Sequence, residues 1–431
     1  MKSARLGLRS LTLRGRCTLA AGVASAIVGL GLHNADLLRL GVLLACLPLL
    51  AVALVVRTRF RLGCTRRLEP ARISAGSQAR AVLRIENVSR LPTGLLLIED
   101  TIPYLLGGRP RVVIERLAPR RPIDVGYHLS GEARGRYRVG PLTVRLLDPF
   151  GMCELPRAFA AVDTLVVTPR VDALPDAMLR GEWGGAGQST SRAVATHGDD
   201  DVATREYRQG DDLRRIHWRT TARRGELTVR REEQPWESRA AVLLDSRLIA
   251  HRGEGPASSL EWAVSAAASI SLHLAGRGFD VRLVTDSGGE VSSAALGGVG
   301  FDGALLDVLA ALTASTSTSL HAGVEAAQRT GGQGLIVAIL AAVGPDDAER
   351  LVRLRTANRS TGIALLLDTD TWAATPGSVS ATDRARVVPM LTGAGWHVVE
   401  VKRGETLPQV WAGLAARAAG AGRNHPVGVA Q

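Results

Sequence analysis

Lysine is nearly missing from this chain. Of 53 basic residues among 431, only Lys2 and Lys402 are lysines, so almost all positive charge is the planar, permanently ionised guanidinium. With no lysine between them, a Gly-Lys-Ser/Thr phosphate loop, an internal Schiff-base lysine and a lysine-dependent nuclease centre are excluded, and nucleotide-driven work falls to a partner. Cysteine is scarce as well. Cys17, Cys46, Cys64 and Cys153 show no CxxC or CxxxxC spacing, which rules out a disulfide framework or zinc site and leaves reduced structural thiols. No HExxH, no glycine-rich dinucleotide loop after a strand and no matched histidine, carboxylate and serine set occurs. The expectation is a chain that is not an enzyme, with no catalytic, cofactor-binding or metal-binding residues.

What is present is 46 % hydrophobic residues, enough in a chain of this length for two or three domains. The net charge of +12 points first to nucleic acid, but its placement points elsewhere. Through residue 70 the chain carries +9, leaving +3 for the remaining 361 residues. The excess flanks two apolar runs, about 17–32 and 37–56, separated by His33, Asn34, Ala35 and Asp36. Each run approaches the ~17–25 residues of a membrane-spanning helix. Lys2, Arg5, Arg9, Arg14 and Arg16 precede the first; Arg57, Arg59, Arg61, Arg66 and Arg67 follow the second. The positive-inside rule then predicts a two-pass cell-membrane protein with both termini cytoplasmic, Arg39 snorkelling to the outer headgroups. A cleaved leader made from the first run would invert that topology, and the second run following at once argues against it.

Residues 1–64 are thus read as a membrane anchor, and 65–170 change character. Alternating apolar and polar pieces recur at 79–86, 94–98, 111–115, 123–129, 135–139, 142–147 and 165–168, separated by turn residues. Seven short strands at this spacing predict an immunoglobulin-like β-sandwich. From 239 to 431 the rhythm is different: apolar strands at 240–244, 279–285, 335–341, 362–367 and 396–401 alternate with helices at 258–275, 301–314, 320–329, 346–358, 381–391 and 407–419. That alternation predicts an α/β doubly wound, mainly parallel sheet.

Between these lies 171–238, a linker that carries the most patterned stretch of the chain. After a Gly/Ser/Thr/Asp-rich loop at 181–201, whose Asp199, Asp200 and Asp201 read as a solvated acidic run, come Arg205, Tyr207, Gly210, Asp211, Arg214, Ile216, Trp218, Ala222 and Arg223. Gly210 closes a turn, Asp211 or Asp212 caps a helix, and Gly225 ends it. Leu213, Ile216 and Ala222 then face a core with Trp218 lying across them, its stem buried, and Arg214, Arg215, Arg219 and Arg223 point outward. From 205 to 233 there are nine arginines and six carboxylates, so local pairing that fastens the segment to a domain competes with a docking face for a partner.

This spacing, Arg-x-Tyr-x-x-Gly-Asp-x-x-Arg-x-Ile-x-Trp-x-x-x-Ala-Arg, resembles the signature of the bacterial family labelled domain of unknown function fifty-eight. Arg134-Gly135-Arg136-Tyr137 and Asp148-Pro149-Phe150-Gly151 also resemble its pattern, although both read equally as strand-connecting turns. The resemblance implies a membrane anchor, a β-rich domain, the signature, and a von Willebrand factor A-like domain. It further implies partnership with MoxR-type AAA+ ATPases, but no reaction.

Metal-binding domains of the von Willebrand factor A kind carry Asp-x-Ser-x-Ser after the first strand, giving a divalent cation hard oxygen ligands. Here Asp245 is followed by Arg247 and Ile249, so the site is read as degenerate. Asp286 and Asp368 also follow strands and are read as an acidic rim or as turn formers. The expected function is a membrane-anchored interaction scaffold or adaptor. Its expected partners are a MoxR-like ATPase, other membrane or envelope proteins and the lipid bilayer, and it would act in assembly or maturation of complexes. Two alternatives are a metal-dependent hydrolase or nuclease using Asp211, Asp212, Glu226 and Glu232, and nucleic-acid binding through the arginine helix, which the near-neutral balance beyond residue 70 disfavours.

Overall fold

A computed structural model describes residues 10–57, 62–90, 92–148, 150–175, 239–329, 334–358, 360–373 and 378–421, with 204–206, 218, 221–222, 225–226 and 228–230 between them. The chain divides into two compact units, Met1–Pro169 and Arg170–Gln431.

The first unit opens with two helices, α1 (Leu13–Gly31) and α2 (Ala35–Arg57). Thr12 caps α1 by accepting from Gly15 N at 3.3 Å. Asn34 caps α2 by accepting from the amides of Asp36 and Leu37. Both helices are long and apolar enough to cross a membrane. The buried residues of α1 are Gly15, Gly22 and Gly29, one every seventh position. Gly22 lies against Ala45 of α2, Gly29 against Leu38, and Gly41 of α2 against Ala26, so close that a β-carbon at any of them would collide with backbone. Small residues at the contact and large apolar ones outside is the pattern of helices packed in lipid, where backbones must approach because no hydrophobic force separates side chain from solvent.

A β-rich region follows: β1 (Leu62–Glu69), β2 (Arg72–Ser74), β3 (Ser77–Asn87), β4 (Leu95–Asp100), β5 (Arg111–Ile114), β6 (Pro122–Gly131), β7 (Gly135–Val139), β8 (Leu142–Leu147), β9 (Glu154–Phe159) and β10 (Asp163–Thr168). They form three sheets, ordered β1-β3-β6, β2-β10-β7 and β5-β4-β8-β9. Alternation along β3 buries Ala79, Ala81, Leu83 and Ile85. Leu83 and Ile85 pack on Leu96, Ile98, Val144 and Leu146 of the four-stranded sheet, and Ala79 and Ala81 on Leu129, Val139, Leu165 and Val167. Three of the ten strands, β1, β2 and β9, go beyond the seven expected. β1 is dense in arginine and was counted with the membrane flank, yet Arg66 is buried. It donates from Nε and Nη2 to Asp100 at 3.0 and 2.8 Å, and from Nη1 to Asp163 at 3.0 Å and the Val139 carbonyl at 2.8 Å. Tyr127 adds its hydroxyl to Asp100 at 2.5 Å. Burial raises the Tyr127 phenol far above its ordinary value, reinforced by Asp100, so the ring stays a neutral donor.

The second unit contains a two-stranded pair, β11 (Thr204–Glu206) with β12 (Thr228–Arg230), and a six-stranded α/β layer. Its elements are β13 (Arg239–Leu244), α3 (Ser259–Ala275), β14 (Asp280–Thr285), β15 (Glu290–Ser292), α4 (Gly298–Ala311), α5 (His321–Arg329), β16 (Leu335–Leu340), α6 (Pro345–Asn358), β17 (Thr361–Leu367), α7 (Ser378–Gly393), β18 (His397–Val401) and α8 (Leu407–Ala421). The order is β15-β14-β13-β16-β17-β18, parallel except for the short edge strand β15, which was not expected. Both faces are covered. Val242, Leu244, Val337 and Ile339 meet α3 and α8, while Leu243, Ala338 and Leu340 meet α5 and α6, which is why these strands read as continuous apolar runs.

Replacing Arg66 by alanine leaves Asp100 buried without its cation, and the β-rich region should lose about 3–5 kcal/mol. Pulse proteolysis of the full chain in detergent measures this. All seven tryptophans lie beyond residue 170, so tryptophan fluorescence should report an unchanged second unit.

Candidate functional site

In an open α/β sheet, ligands sit beyond the strand carboxyl ends where the winding reverses. Here β13 leads to β14 on one side and, after the return through α4 and α5, to β16 on the other, so the crevice lies beyond Leu244 and Leu340. The ladder runs one residue further: Asp245 N donates to Ile339 O and Asp286 N to Leu244 O. Both carboxylates are therefore carried into the crevice on rigid backbone, and both are fully buried.

Asp245 is met by Arg247, whose side chain is 3 % exposed. Nε donates to Asp245 Oδ1 at 2.9 Å and Nη2 to Oδ2 at 2.9 Å, a two-pronged pair. Nη2 also reaches the Ala342 carbonyl at 3.1 Å, while Nη1 reaches Asp347 Oδ2 at 2.8 Å and the Thr318 carbonyl at 3.3 Å. All five guanidinium N–H groups thus have an acceptor. Burial opposes the charge, but hydrogen bonding and attraction from Asp245 and Asp347 outweigh it and hold Arg247 above its ordinary pKa. At the two positions that an Asp-x-Ser-x-Ser loop fills with serines stand Arg247, whose guanidinium pairs with Asp245, and Ile249, 54 % exposed, which supplies no oxygen. The residues present do not fit a metal ion there.

Asp347, at the start of α6, was not singled out in the sequence. The pair Asp346-Asp347 opening a helix reads as a first-turn acid stabilised by the helix dipole, and only the fold brings it to Arg247, 100 positions away. Its other oxygen accepts from Leu320 N, Ser319 Oγ and Arg350 Nη1. Asp286 accepts from Ser246 N at 3.0 Å and from the Ser246 hydroxyl, and Asp368 from Arg384 at 2.6 Å. The three strand-end carboxylates each have their own partner instead of forming a shared rim. His251, also unanticipated, bonds the Asp245 carbonyl through Nε2 at 2.8 Å and Ser259 Oγ through Nδ1 at 2.9 Å. A carbonyl only accepts, so Nε2 carries the proton. Burial pushes the imidazole below its ordinary pKa of 6.5, against the pull of Asp245.

The patterned segment is described in part. Arg205 lies in β11 opposite Val229; Tyr207, Gly210, Asp211, Asp212, Leu213, Arg214, Ile216 and Arg223 lie outside the described residues, as do Asp199, Asp200, Asp201 and Glu232. Trp218, Thr221 and Ala222 are helical, and Gly225, at φ +75°, closes the turn by donating to Thr221 O at 2.9 Å. Trp218 and Ala222 are both exposed, Trp218 by 67 %. This corrects the expectation that Trp218 lies across a core with Ala222 beneath it. The apolar marks at positions 218 and 222 show one stripe but not whether that stripe packs or is presented.

Residues 203–384 match the family described as protein of unknown function DUF58. This DUF58 region contains the exposed tryptophan, the β11–β12 pair and the Asp245–Arg247 crevice. A relative named "Uncharacterized protein YeaD" from Bacillus subtilis strain 168 is 25 % identical over 188 residues, 42 % of this chain and 47 % of that one. The chain thus spans about half the length of the relative. Among solved structures, the CARDB domain of a Pyrococcus furiosus protein, in complex with di-metal ions, is similar over 25 % of this chain and 91 % of that one, at 16 % identity and a TM-score of 0.19. The human complex of zinc 2-glycoprotein with prolactin inducible protein is similar over 26 % of this chain and 97 % of that one, at 14 % identity and a TM-score of 0.21.

Arg247→Ala leaves the buried Asp245 without its cation, while Asp347 keeps Arg350, and should cost the DUF58 region about 3–5 kcal/mol in guanidinium denaturation followed by tryptophan fluorescence. His251 makes stability depend on pH. Its folded pKa lies below its unfolded one, so the unfolded chain binds more protons below the ordinary value of 6.5. Stability should hold above that value and fall as the pH drops through it. His273 is lowered by burial too, so His251→Gln should remove part of the slope and leave the remainder.

Proposed function

We propose that this protein is a membrane-anchored interaction scaffold or adaptor, not an enzyme, with an immunoglobulin-like sandwich and a von Willebrand factor A-like sheet. It would act with a MoxR-like AAA+ ATPase in the assembly or maturation of protein complexes at the membrane. The observation that carries this reading is the Arg247 network: beside Asp245, at the strand end where such sheets receive a ligand, stands the chain's own cation, bonded at every donor. What the same rim presents outward is apolar, Leu248 and Ile249. A strand-end carboxylate already paired within the chain, beside exposed apolar side chains, suits holding a protein surface better than turning over a small molecule.

The exposed face of Trp218 supports the same reading, because tryptophan is enriched among the few residues that dominate interface energies. Two glycine-packed apolar helices support the anchor, and the arginines at both cytoplasm-directed ends support placing both termini and the globular parts in the cytoplasm. The near-neutral charge balance beyond residue 70 favours a protein partner over nucleic acid.

Native membranes containing the full chain, trapped with a slowly hydrolysed ATP analogue and solubilised, should co-purify a MoxR-like ATPase identified by mass spectrometry. Trp218→Ala should lower its recovery about tenfold with an unchanged unfolding midpoint. Absence of the ATPase under nucleotide trapping would count against the partnership; loss of folding in the variant would return Trp218 to a structural role.

A further inference from the structure

The helical hairpin and the sandwich belong to one compact unit and touch without a spacer. Ser10 O accepts from Glu154 N at 2.7 Å, Thr12 N donates to Met152 O at 2.9 Å, and Thr12 Oγ1 donates to Gly151 O at 2.7 Å. Gly15 lies so close to the Met152 carbonyl that no β-carbon fits, and Ala51 of α2 is buried in the sandwich core. Contact therefore occurs at the level of Gly15 and Ala51. From Gly15 to the hairpin turn at His33 the helix rises about 27 Å, slightly less than the ~30 Å hydrocarbon thickness of a bilayer. If the hairpin spans, no gap is left between hydrocarbon and sandwich, and one end of the sandwich lies in the headgroup layer.

That end is identifiable. Loops 88–94, 115–121 and 148–153 share it, because Leu95 pairs with Leu147, Ile114 with Leu96, and Leu62, at the start of β1, with Asn87. Arg120 N bonds the Asn87 carbonyl and Thr93 N the Leu117 carbonyl, tying the first two loops together. The third is closed on buried Asp148, which accepts from Phe150 N at 3.1 Å and Cys153 N at 2.6 Å. This bonded turn nonetheless holds Phe150 outward, 57 % exposed. Val88 is exposed as well, and Arg90, Arg116, Arg120 and Arg121 are exposed around them, against Glu86, Glu115 and Asp124 nearby. Apolar tips among arginines match an interface with anionic headgroups.

We propose that this end of the sandwich is a lipid-binding face. Phe150 and Val88 enter the bilayer interface, the four arginines bind acidic phospholipid phosphates, and the domain is held flush with the membrane in a fixed orientation. This rests on the membrane-anchor reading.

The full chain, reconstituted in nanodiscs of phosphatidylcholine alone or mixed with phosphatidylglycerol, tests it with the photo-crosslinker p-benzoyl-phenylalanine placed singly at Leu43, Phe150 and Tyr104. Leu43 reports the hairpin. Tyr104 is 86 % exposed but follows the opposite end of β4. Lipid adducts are expected at 43 and 150 and not at 104, and amide exchange in loop 115–121 should slow about fivefold when phosphatidylglycerol is included. Adducts at 43 without 150, or equal adducts at 150 and 104, overturn the lipid-binding face while leaving the anchor. No adduct at 43 overturns both. Adducts at 150 with exchange indifferent to phosphatidylglycerol overturn the role of the arginines.

Discussion

A carboxylate buried at the end of a parallel strand cannot remain alone. Asp245 is delivered into the crevice by the same ladder that builds the sheet, away from water, where an uncompensated charge costs several kcal/mol. Something positive must meet it, and Arg247 does so from two residues away. The guanidinium fork then reaches Asp347, Thr318 and Ala342 as well, so one side chain ties together the tip of β13, the exit of β16, the segment before α5 and the first turn of α6. The arrangement of this face depends on that pairing.

The β-rich region answers a related problem with the same chemistry. Arg66 clasps Asp100 with two nitrogens and reaches Asp163 and the Val139 carbonyl with the third, linking strands from all three sheets. A lysine ammonium, compact and strongly hydrated, could not hold one carboxylate in two places while bonding a second. The scarcity of lysine thus has a structural counterpart: the buried ionic knots of both units use the geometry of arginine.

Much of the fold was legible because burial writes itself as periodicity. The continuous apolar runs of β13, β16 and β17 mark strands covered on both faces, and alternation in β3 and β8 marks strands covered on one. The strands that escaped were those whose pattern something else overwrote. β1 carries arginines that resemble a membrane flank, β9 is interrupted by Pro156 and shows no alternation, and β2, β11 and β15 have three residues each. The seven-residue glycine spacing of α1 was available in the sequence, but as small residues within an apolar run it is visible as a contact only once α2 lies beside it.

The amino-acid order by itself determined the strongly periodic elements, the apolar hairpin, the absence of a lysine-based phosphate loop and the mismatch of Arg247 and Ile249 with an oxygen-ligand loop, because each depends on residue type and local spacing. Only the tertiary structure decided which charges meet and which apolar faces remain uncovered. Asp347 reaches Arg247 across 100 positions, Arg66 finds Asp100 across 34, and Trp218 and Ala222 are left exposed. Electrostatic partners and exposure are set by distance in space, and local pattern carries no record of that distance.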